Sequence, residues 1–269
     1  MDERLYGTLK RIVKDRIGID IDAYKEAQMR RRLENFVLQR AGADTERWLA
    51  ALPLDRDTLG ALRDMLTINV SEFFRDAPQF SRLETTVLPK LLAERPALSI
   101  WSAACSNGQE PYSIAMLLDE QGALARSRIL ATDFDRAVLE KARAGGPYVP
   151  DDVRNVTAPR LEKHFQRDGA GYRVALSLRP RVQFREHNLL SSPYGNGYDL
   201  IVCRNVLIYF APEVKMQIIG RFWEALRPGG VMFIGSTEAL FGKDSVGFRG
   251  VGGNFYEKTA DARPQARAA

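Results

Sequence analysis

The sequence predicts an α/β fold in which a Rossmann-like, largely parallel sheet follows a helical N-terminal domain. Up to about residue 80, apolar side chains recur at helical spacing and no strand-like alternation occurs. After Pro96, short apolar runs alternate with helical stretches, which is typical of βαβ units. Residues 171–186 instead alternate apolar and polar side chains after the turn sequence Asp168–Gly171, which predicts a small antiparallel insertion.

The predicted elements define three regions. Residues 1–78 are expected to form a small helical bundle, and residues 79–259 the sheet domain, with a β subdomain at about 164–187. Four apolar runs predict the main strands, namely Ala97–Ala104, Arg128–Thr132, Tyr198–Cys203 and Val231–Gly235. Helical stretches are predicted at Tyr112–Leu118, Ala137–Ala144 and Lys215–Leu226, a turn at Arg227–Gly230, and an edge strand at Asn254–Lys258. The Ala/Arg/Pro-rich tail, residues 260–269, is expected to be disordered.

Composition restricts the class of protein. A hydrophobic content of 45% and a charged content of 27% are ordinary for a soluble globular chain. No run approaches the roughly 18–20 apolar residues that span a bilayer, and the N-terminus lacks a signal-peptide core. Cys105 and Cys203 are predicted to be free thiols in a reducing compartment, so a cytoplasmic location is expected. The net charge of +5 is compatible with nucleic acid or with an acidic protein partner.

Polar clusters follow four of the predicted strands. They are Ala104–Pro111, Asp133–Asp135, Asn188–Leu190 and Arg204-Asn205. Ligands of open α/β sheets bind at the carboxyl ends of the strands, so these clusters predict one binding site.

The spacing of Asp133 indicates the kind of ligand. Asp133 follows Gly108 by 25 residues, close to the separation of about 20 residues between a glycine turn and a ribose-binding acid. The turn lacks the G-x-G-x-x-G pattern that a dinucleotide pyrophosphate requires, which favours an adenosine cofactor without phosphates. Taken alone, Asp133 could equally be a helix N-cap, but its spacing and neighbours favour a ligand role.

Several motifs resemble the chemotaxis receptor methyltransferase (CheR) family. They are NVSEFFR (69–75), WSAACSNGQEPYS (101–113), ATDFD (131–135), NLL (188–190) and CRNVLIYF (203–210). The resemblance spans nearly the whole chain, and the motifs occur in the order of the family. The resemblance implies a class I methyltransferase sheet that binds S-adenosylmethionine and releases S-adenosylhomocysteine. It also implies that the enzyme methylates glutamate carboxylates of chemoreceptors and forms the methyl esters of chemosensory adaptation.

The resemblance also implies roles for individual residues. Asn69, Ser71 and Arg75 would close over the cofactor, and Ala104 would contact it. Glu110 would hold the methionine part or the ribose edge, and Asp133 the ribose. The adenosine would be lined by Asn188, Leu189, Cys203, Arg204 and Asn205. Arg75 and Tyr209 would face the reacting methyl group and the substrate carboxylate, and no metal is expected.

Ordinary structural roles remain open for some of these residues. Glu110 could be a first-turn helix acid, Arg75 could pair with Glu72 or Asp76, and Tyr209 could be a half-buried core aromatic. The chain also departs from the usual family pattern. Ser71 stands where Thr is usual, Gln109 where Glu is common, and Ser236-Thr237 where many members have His-Ser.

A basic stretch in the helical domain suggests the substrate-docking surface. Family members dock acidic receptor helices on a basic helix, which assigns this role to Lys25, Arg30, Arg31 and Arg32; the alternative is an ordinary solvated helix face.

A carboxylate acceptor is ionised at neutral pH and needs no general base, which agrees with a chain that has only His164 and His187. We therefore expect a monomer that acts on the cytoplasmic helices of methyl-accepting chemoreceptors, without nucleic-acid binding or membrane insertion. The alternatives are a methyltransferase of RNA or of a small molecule, and a non-catalytic signalling scaffold.

Overall fold

The structure is a computed structural model that describes residues 1–42, 44–67 and 69–259, excluding the side chains of residues 243 and 244. The chain forms two compact units. Of the described residues, the first unit contains those within Met1–Asn69 and Tyr209–Lys215, and the second contains those within Val70–Ile208 and from Met216 to Thr259. The tail that the sequence predicts to be disordered, residues 260–269, lies outside the described residues.

The first unit is built from helices, as the sequence predicts. They are α1 (Glu3–Ile12), α2 (Glu26–Arg40), α3 (Thr45–Ala51) and α4 (Arg56–Leu66), and α1 continues into a π-helical turn at Val13–Ile17. Asp44 and Asp55 cap α3 and α4 by accepting the backbone N–H groups of Arg47 and Thr58. The apolar positions at helical spacing face inward, so Leu9, Leu33 and Leu62 are fully buried.

A later segment of the chain completes the first unit. Phe210 forms an antiparallel bridge with Tyr24, just before α2, and the two rings stack with their centroids 4.9 Å apart. The N–H of Lys25 donates to the carbonyl of Tyr209 at 2.9 Å. These contacts fix the backbone of Tyr209 beside the first turn of the predicted docking helix.

The second unit contains a seven-stranded sheet with the order β5-β2-β1-β6-β7-β9-β8. Five parallel strands form most of it: β1 (Ser99–Ala103), β2 (Arg128–Asp133), β5 (Val182–Glu186), β6 (Tyr198–Cys203) and β7 (Leu226–Ile234). The last two, β8 (Phe248–Gly250) and β9 (Phe255–Lys258), run antiparallel to their neighbours. The predicted α/β class with a largely parallel sheet is confirmed.

Helices precede and connect these strands, and three of them, α7, α8 and α10, overlap the predicted helical stretches. They are α5 (Ala77–Arg82), α6 (Leu88–Glu94), α7 (Gln109–Glu120), α8 (Arg136–Ala144), α9 (Ala158–His164) and α10 (Pro212–Ala225). A π-helical turn at Leu83–Val87 joins α5 to α6. The β1 side chain Trp101 is almost completely buried, and its indole N–H donates to the Thr132 hydroxyl of β2 at 2.9 Å.

The alternating segment 171–186 is not one antiparallel unit. The hairpin consists of β3 (Phe165–Asp168) and β4 (Gly171–Val174), joined at the predicted turn, and it confirms the small antiparallel insertion. Residues 182–186 form β5 instead, a parallel strand at the edge of the main sheet. An edge strand with one solvated face has the same alternation as a hairpin strand: Val182 and Phe184 are buried and the residues between and after them are exposed.

Two smaller predictions were only partly right. The strand predicted at Asn254–Lys258 is not at the edge, because the three-residue strand β8 pairs with its outer side. A strand of three residues is too short to leave a sequence pattern. Arg227–Gly230, predicted as a turn, lies within β7, where the pairing with β6 shifts register after Tyr198. In the part of the chain that the structure describes, no helix is long and apolar enough to cross a membrane.

Candidate cofactor site

Four neighbouring parallel strands, β5, β2, β1 and β6, bring the predicted polar clusters to one edge of the sheet. Backbone hydrogen bonds join the clusters directly. The N–H of Cys105, after β1, donates to the carbonyl of Thr132 in β2 at 2.9 Å. The N–H of His187, after β5, donates to the carbonyl of Asp133 at 2.9 Å. These bonds join the segments that follow β1, β2 and β5.

The loop after β1 has an unusual backbone. Ala104 and Ser106 have positive φ angles of 60° and 49°, and Gly108 has a φ of 89°. At Gly108 a Cβ atom would lie 2.9 Å from the Cβ of Ala142 in α8, so a side chain has no room there. The glycine lets the loop approach α8 and turn sharply into α7.

Asp133 holds this loop against the end of β2. Its carboxylate accepts the N–H of Ser106 at 2.8 Å and that of Asp135 at 3.0 Å. Burial raises the pKa of Asp133, and the two backbone donors oppose this shift. The N-cap role that was an alternative for Asp133 belongs to Asp135, which caps α8 by accepting the N–H of Ala137.

A buried ion-pair network links β6 to α7. The carboxylate of Glu110 accepts the Ser102 hydroxyl at 2.7 Å and an N–H of the Arg204 guanidinium at 3.4 Å. Burial raises the pKa of Glu110, and Arg204 opposes the shift. Arg204 also donates to the carbonyl of Arg75 at 2.9 Å and to the carboxylate of Asp76. The side chain of Arg204 thus joins three elements, a connection that the sequence does not predict.

The backbone N–H groups of two aromatic residues anchor the segment before α5. The N–H of Phe73 donates to the carbonyl of Asp152 at 2.9 Å, and that of Phe74 to the Ser113 hydroxyl at 3.0 Å. The Ser71 carbonyl accepts the side-chain amide of Gln109 at 3.2 Å. The guanidinium of Arg75, which is half-buried, donates to the carbonyl of Val70 at 3.0 Å.

Neither carboxylate that was an alternative partner for Arg75 pairs with it. Glu72 pairs with Arg154 at 2.6 Å, and Asp76 pairs with Arg204. The local ion pair on its own segment was therefore a wrong alternative, because partners from other elements take both acids.

The remaining predicted residues of this unit also lie at the strand ends. The side-chain oxygen of Asn188 accepts the N–H of Leu190 at 2.8 Å in a tight turn, and Leu189 is buried. Cys203 is completely buried at the end of β6, and burial raises the pKa of its thiol well above the ordinary value, so it stays neutral. Asn205, directly after Arg204, has a positive φ of 59°.

Other predicted residues belong to the first unit, namely Asn69, Tyr209 and the four basic residues. Arg31 is exposed on α2, and Lys25, which directly precedes the helix, is exposed as well. Arg30 instead pairs with Glu3 and Glu34 and covers the Tyr6 ring, with its guanidinium 4.9 Å from the ring centroid. Arg32 donates to the Met65 carbonyl, and burial lowers its pKa. Arg30 and Arg32 thus contribute to the packing of the helical unit.

Sequence reasoning missed two polar residues of this edge. The Ser106 hydroxyl is buried, and within the described residues it has no hydrogen-bond partner. Glu238, after β7, is buried and accepts backbone N–H groups of the segment that contains Asn205. Ser106 stands inside the loop motif and could have been found there. Glu238 gave no signal, since its partners are backbone groups that are distant in sequence. Among the described residues no cluster of His, Cys, Asp and Glu has the arrangement of a metal site.

The family of this chain follows from comparison with known proteins. The model of the CheR methyltransferase SAM binding domain matches residues 69–254. The chain therefore belongs to the CheR methyltransferase family. A Chemotaxis protein methyltransferase of Listeria monocytogenes is 39% identical over 258 residues, which cover 96% of this chain and 98% of that protein.

Two further relatives support the same membership. Chemotaxis protein methyltransferase 1 of Pseudomonas aeruginosa is 43% identical over 195 residues, covering 67% of this chain and 71% of the relative. The Chemotaxis protein methyltransferase of Vibrio parahaemolyticus is 35% identical over 254 residues, covering 90% and 91%.

The residues at the strand ends fit this cofactor. An ionised carboxylate offers about four acceptor positions, and Asp133 uses one on each oxygen for backbone donors. The remaining positions suit the two hydroxyls of a ribose. The buried Ser106 hydroxyl beside them supplies a further polar group. The loop has a single glycine at its centre instead of a pyrophosphate-binding pattern, which agrees with a cofactor that carries no phosphate.

Proposed function

We propose that this methyltransferase transfers the methyl group of S-adenosylmethionine to glutamate side chains of chemoreceptors and forms glutamate methyl esters. The match to the CheR family over residues 69–254 carries the proposal. The relatives' printed names, which place them in chemotaxis, support a receptor as the acceptor. The receptor would lose one negative charge per turnover, which lowers the repulsion between its neighbouring acidic helices.

In this proposal the strand-end residues bind the cofactor. Asp133 accepts the ribose hydroxyls, and Glu110 lies towards the ribose edge or the methionine part. Ala104 and the Asn188-Leu189 pair contact the adenosine, together with Cys203, Arg204 and Asn205. Asn69, Ser71 and Arg75 close over the cofactor.

The chemistry requires positioning more than proton transfer. When bound, the cofactor supplies an electrophilic methyl group on a positively charged sulfur. An ionised glutamate, with an ordinary pKa of about 4.3, is already a nucleophile at neutral pH. Transfer to a carboxylate would exchange one S–C bond for one O–C bond and would cancel two opposite charges, so the residues of the chain would have no proton to move. The proposed transfer uses neither histidine, and burial lowers the pKa of both His164 and His187.

Arg75 and Tyr209 are the residues that we assign to the acceptor. The planar guanidinium of Arg75 can orient a carboxylate through two parallel hydrogen bonds. Tyr209 can donate its hydroxyl to the same group. Both roles hold the attacking oxygen in line with the methyl group, which is the main source of rate enhancement in such a displacement.

We also propose that acidic receptor helices dock on α2 and that the enzyme acts in the cytoplasm as a monomer. The exposed side chains of Lys25 and Arg31 suit this role best, since Arg30 and Arg32 are engaged within the helical unit. Complementary charge would steer the receptor towards the enzyme and make docking sensitive to salt.

The test is a transfer assay with the purified chain, methyl-labelled S-adenosylmethionine and membranes that contain chemoreceptors from the same cell. We expect label in the receptor band. The Asp133→Ala variant serves as the control and should leave the band unlabelled. If wild-type enzyme binds the cofactor but labels RNA or a small molecule instead of the receptor, the proposed acceptor is wrong. If it binds cofactor and labels nothing, a non-catalytic scaffold is favoured.

A further inference from the structure

The turn after β7 carries a buried carboxylate that the proposed chemistry does not use. Glu238 is only 4% exposed. Its own N–H donates to the carbonyl of Gly235 at 2.9 Å, which closes the turn. The side-chain amide of Asn254 donates to the carbonyls of Gly235 and Glu238 at 2.9 and 2.6 Å. The backbone that presents Glu238 is therefore fixed from two sides.

The carboxylate of Glu238 collects three backbone donors. One oxygen accepts the N–H of Gly235 at 2.7 Å and that of Asn205 at 3.0 Å. The other accepts the N–H of Ile208 at 3.2 Å. Asn205 and Ile208 belong to the segment that leaves β6, so one side chain fixes both ends of this four-residue segment.

This segment needs an external acceptor because its backbone is irregular. Asn205 has a positive φ of 59°, a conformation that costs free energy in residues other than glycine and persists only where its surroundings enforce it. Hydrogen bonds to a charged acceptor are stronger than those between neutral groups. A carboxylate with three N–H donors is therefore well suited to hold the strained geometry.

Gly235 shows how closely the two segments approach. A Cβ atom at this position would lie 2.8 Å from the backbone nitrogen of Asn205 and 2.8 Å from a carboxylate oxygen of Glu238. Any side chain would push the segment with Asn205 away from β7. The glycine and the glutamate thus serve the same contact, one by leaving room and the other by supplying the acceptor.

We infer that Glu238 is a positioning residue that holds Asn205 in the geometry needed to bind the cofactor. The inference rests on the proposed function, in which Asn205 contacts the adenosine. It assigns to Glu238 an effect on cofactor affinity, exerted through the backbone of Asn205.

The test compares Glu238→Gln with a matched control, Asp199→Asn. Glutamine has the same shape but replaces one acceptor oxygen by an NH₂ group, which would face a backbone N–H. Asp199 is also buried and accepts a backbone N–H, that of Ser99 at 2.8 Å, but it pairs with Arg227 and lies near the start of β6, at the opposite edge of the sheet. Both variants therefore remove a buried carboxylate of the same sheet, and only one of them lies beside Asn205.

We expect Glu238→Gln to weaken S-adenosylhomocysteine binding about 10-fold in calorimetry, the effect of one lost charge-assisted hydrogen bond. The KM for S-adenosylmethionine should rise by a similar factor, while turnover at saturating cofactor stays within about twofold of wild type. Asp199→Asn should bind S-adenosylhomocysteine with wild-type affinity and lower the melting temperature by roughly 5 °C or more.

Wild-type affinity in Glu238→Gln, or a loss of stability alone as in the control, would overturn the inference. If Glu238→Gln does not fold, Gly235→Ala decides the question: weaker binding in the folded variant supports the inference, and unchanged binding rejects it. A wild-type chain that binds no S-adenosylhomocysteine would instead refute the proposed function, so the two failures are distinguishable.

Discussion

The strand ends of the sheet and helix α2 differ in how their polar side chains are held. At the strand ends, Asp133 and Glu110 are buried and are held by donors from other elements. On α2, two of the four basic residues are engaged within their own unit, and Lys25 and Arg31 remain exposed. The sheet topology thus determines where the polar residues lie at the strand ends. On α2, pairing with nearby groups determines which basic residues stay exposed.

The difference follows from how each pattern arises. Parallel strands must deliver their carboxyl ends to one edge, so polar residues after them converge wherever they lie in the sequence. Cations on a helix surface have no such constraint and pair with whatever acid or carbonyl is within reach. A cluster of arginines in a sequence therefore overstates the free positive charge on a helix.

Replacing Asp133 at the strand ends should have the largest effect on cofactor binding. Asp133→Ala removes the acceptor of the ribose hydroxyls and of two loop N–H groups, so S-adenosylhomocysteine binding should weaken by about 100-fold or more. Calorimetry measures the loss. Asp135→Ala is the matched control, since it removes the cap of α8 and should cost about 1 kcal/mol of stability with binding retained. Equal affinity of Asp133→Ala and wild type would contradict the ribose assignment.

Tyr209 differs from the strand-end residues in two respects. It belongs to the helical unit, and we assign it to methyl transfer and not to cofactor binding. Tyr209→Phe should slow methyl transfer by about 10- to 100-fold through the loss of one hydrogen bond to a charged acceptor. The affinity for S-adenosylhomocysteine should not change. Single-turnover kinetics separates the two effects. A variant that transfers at the wild-type rate would return Tyr209 to a packing role.

Gln109 tests how the loop and the segment around Ser71 hold together. Its amide donates to the Ser71 carbonyl at 3.2 Å and to the carboxylate of Asp152 at 3.4 Å. Gln109→Glu would replace these donors by a charge that repels both partners, so cofactor affinity should fall by about 3- to 10-fold. Gln109→Met removes the hydrogen bonds without the repulsion and should lose less. If both variants bind equally well, the contact has no role in binding.

The docking helix should show the smallest effect. The double variant Lys25→Ala and Arg31→Ala should raise the KM for receptor by about 2- to 5-fold at low salt and by less at high salt, because exposed charges contribute little each. Arg30→Ala should mainly lower the melting temperature, since it removes contacts with Glu3, Glu34 and Tyr6. Unchanged receptor kinetics in the double variant would return α2 to an ordinary solvated face.

The sequence predicted the sheet and the polar edge well because both depend on local patterns. Apolar runs identify buried strands, and the residue after each run is at the correct end of the sheet by geometry alone. It could not distinguish the hairpin from β5, since both show one buried and one solvated face. It also missed the bridge between Tyr24 and Phe210 and the role of Glu238, because these depend on backbone hydrogen bonds between distant segments.

The chemical nature of the methylated product decides whether the acceptor is a carboxylate. Receptor labelled by the enzyme should be isolated, treated with mild base, and assayed for volatile label. If the acceptor is a glutamate carboxylate, base should release the label as methanol, as expected of an ester formed without a general base. Label that remains on the receptor after base treatment would indicate an amine or another acceptor and would contradict the account.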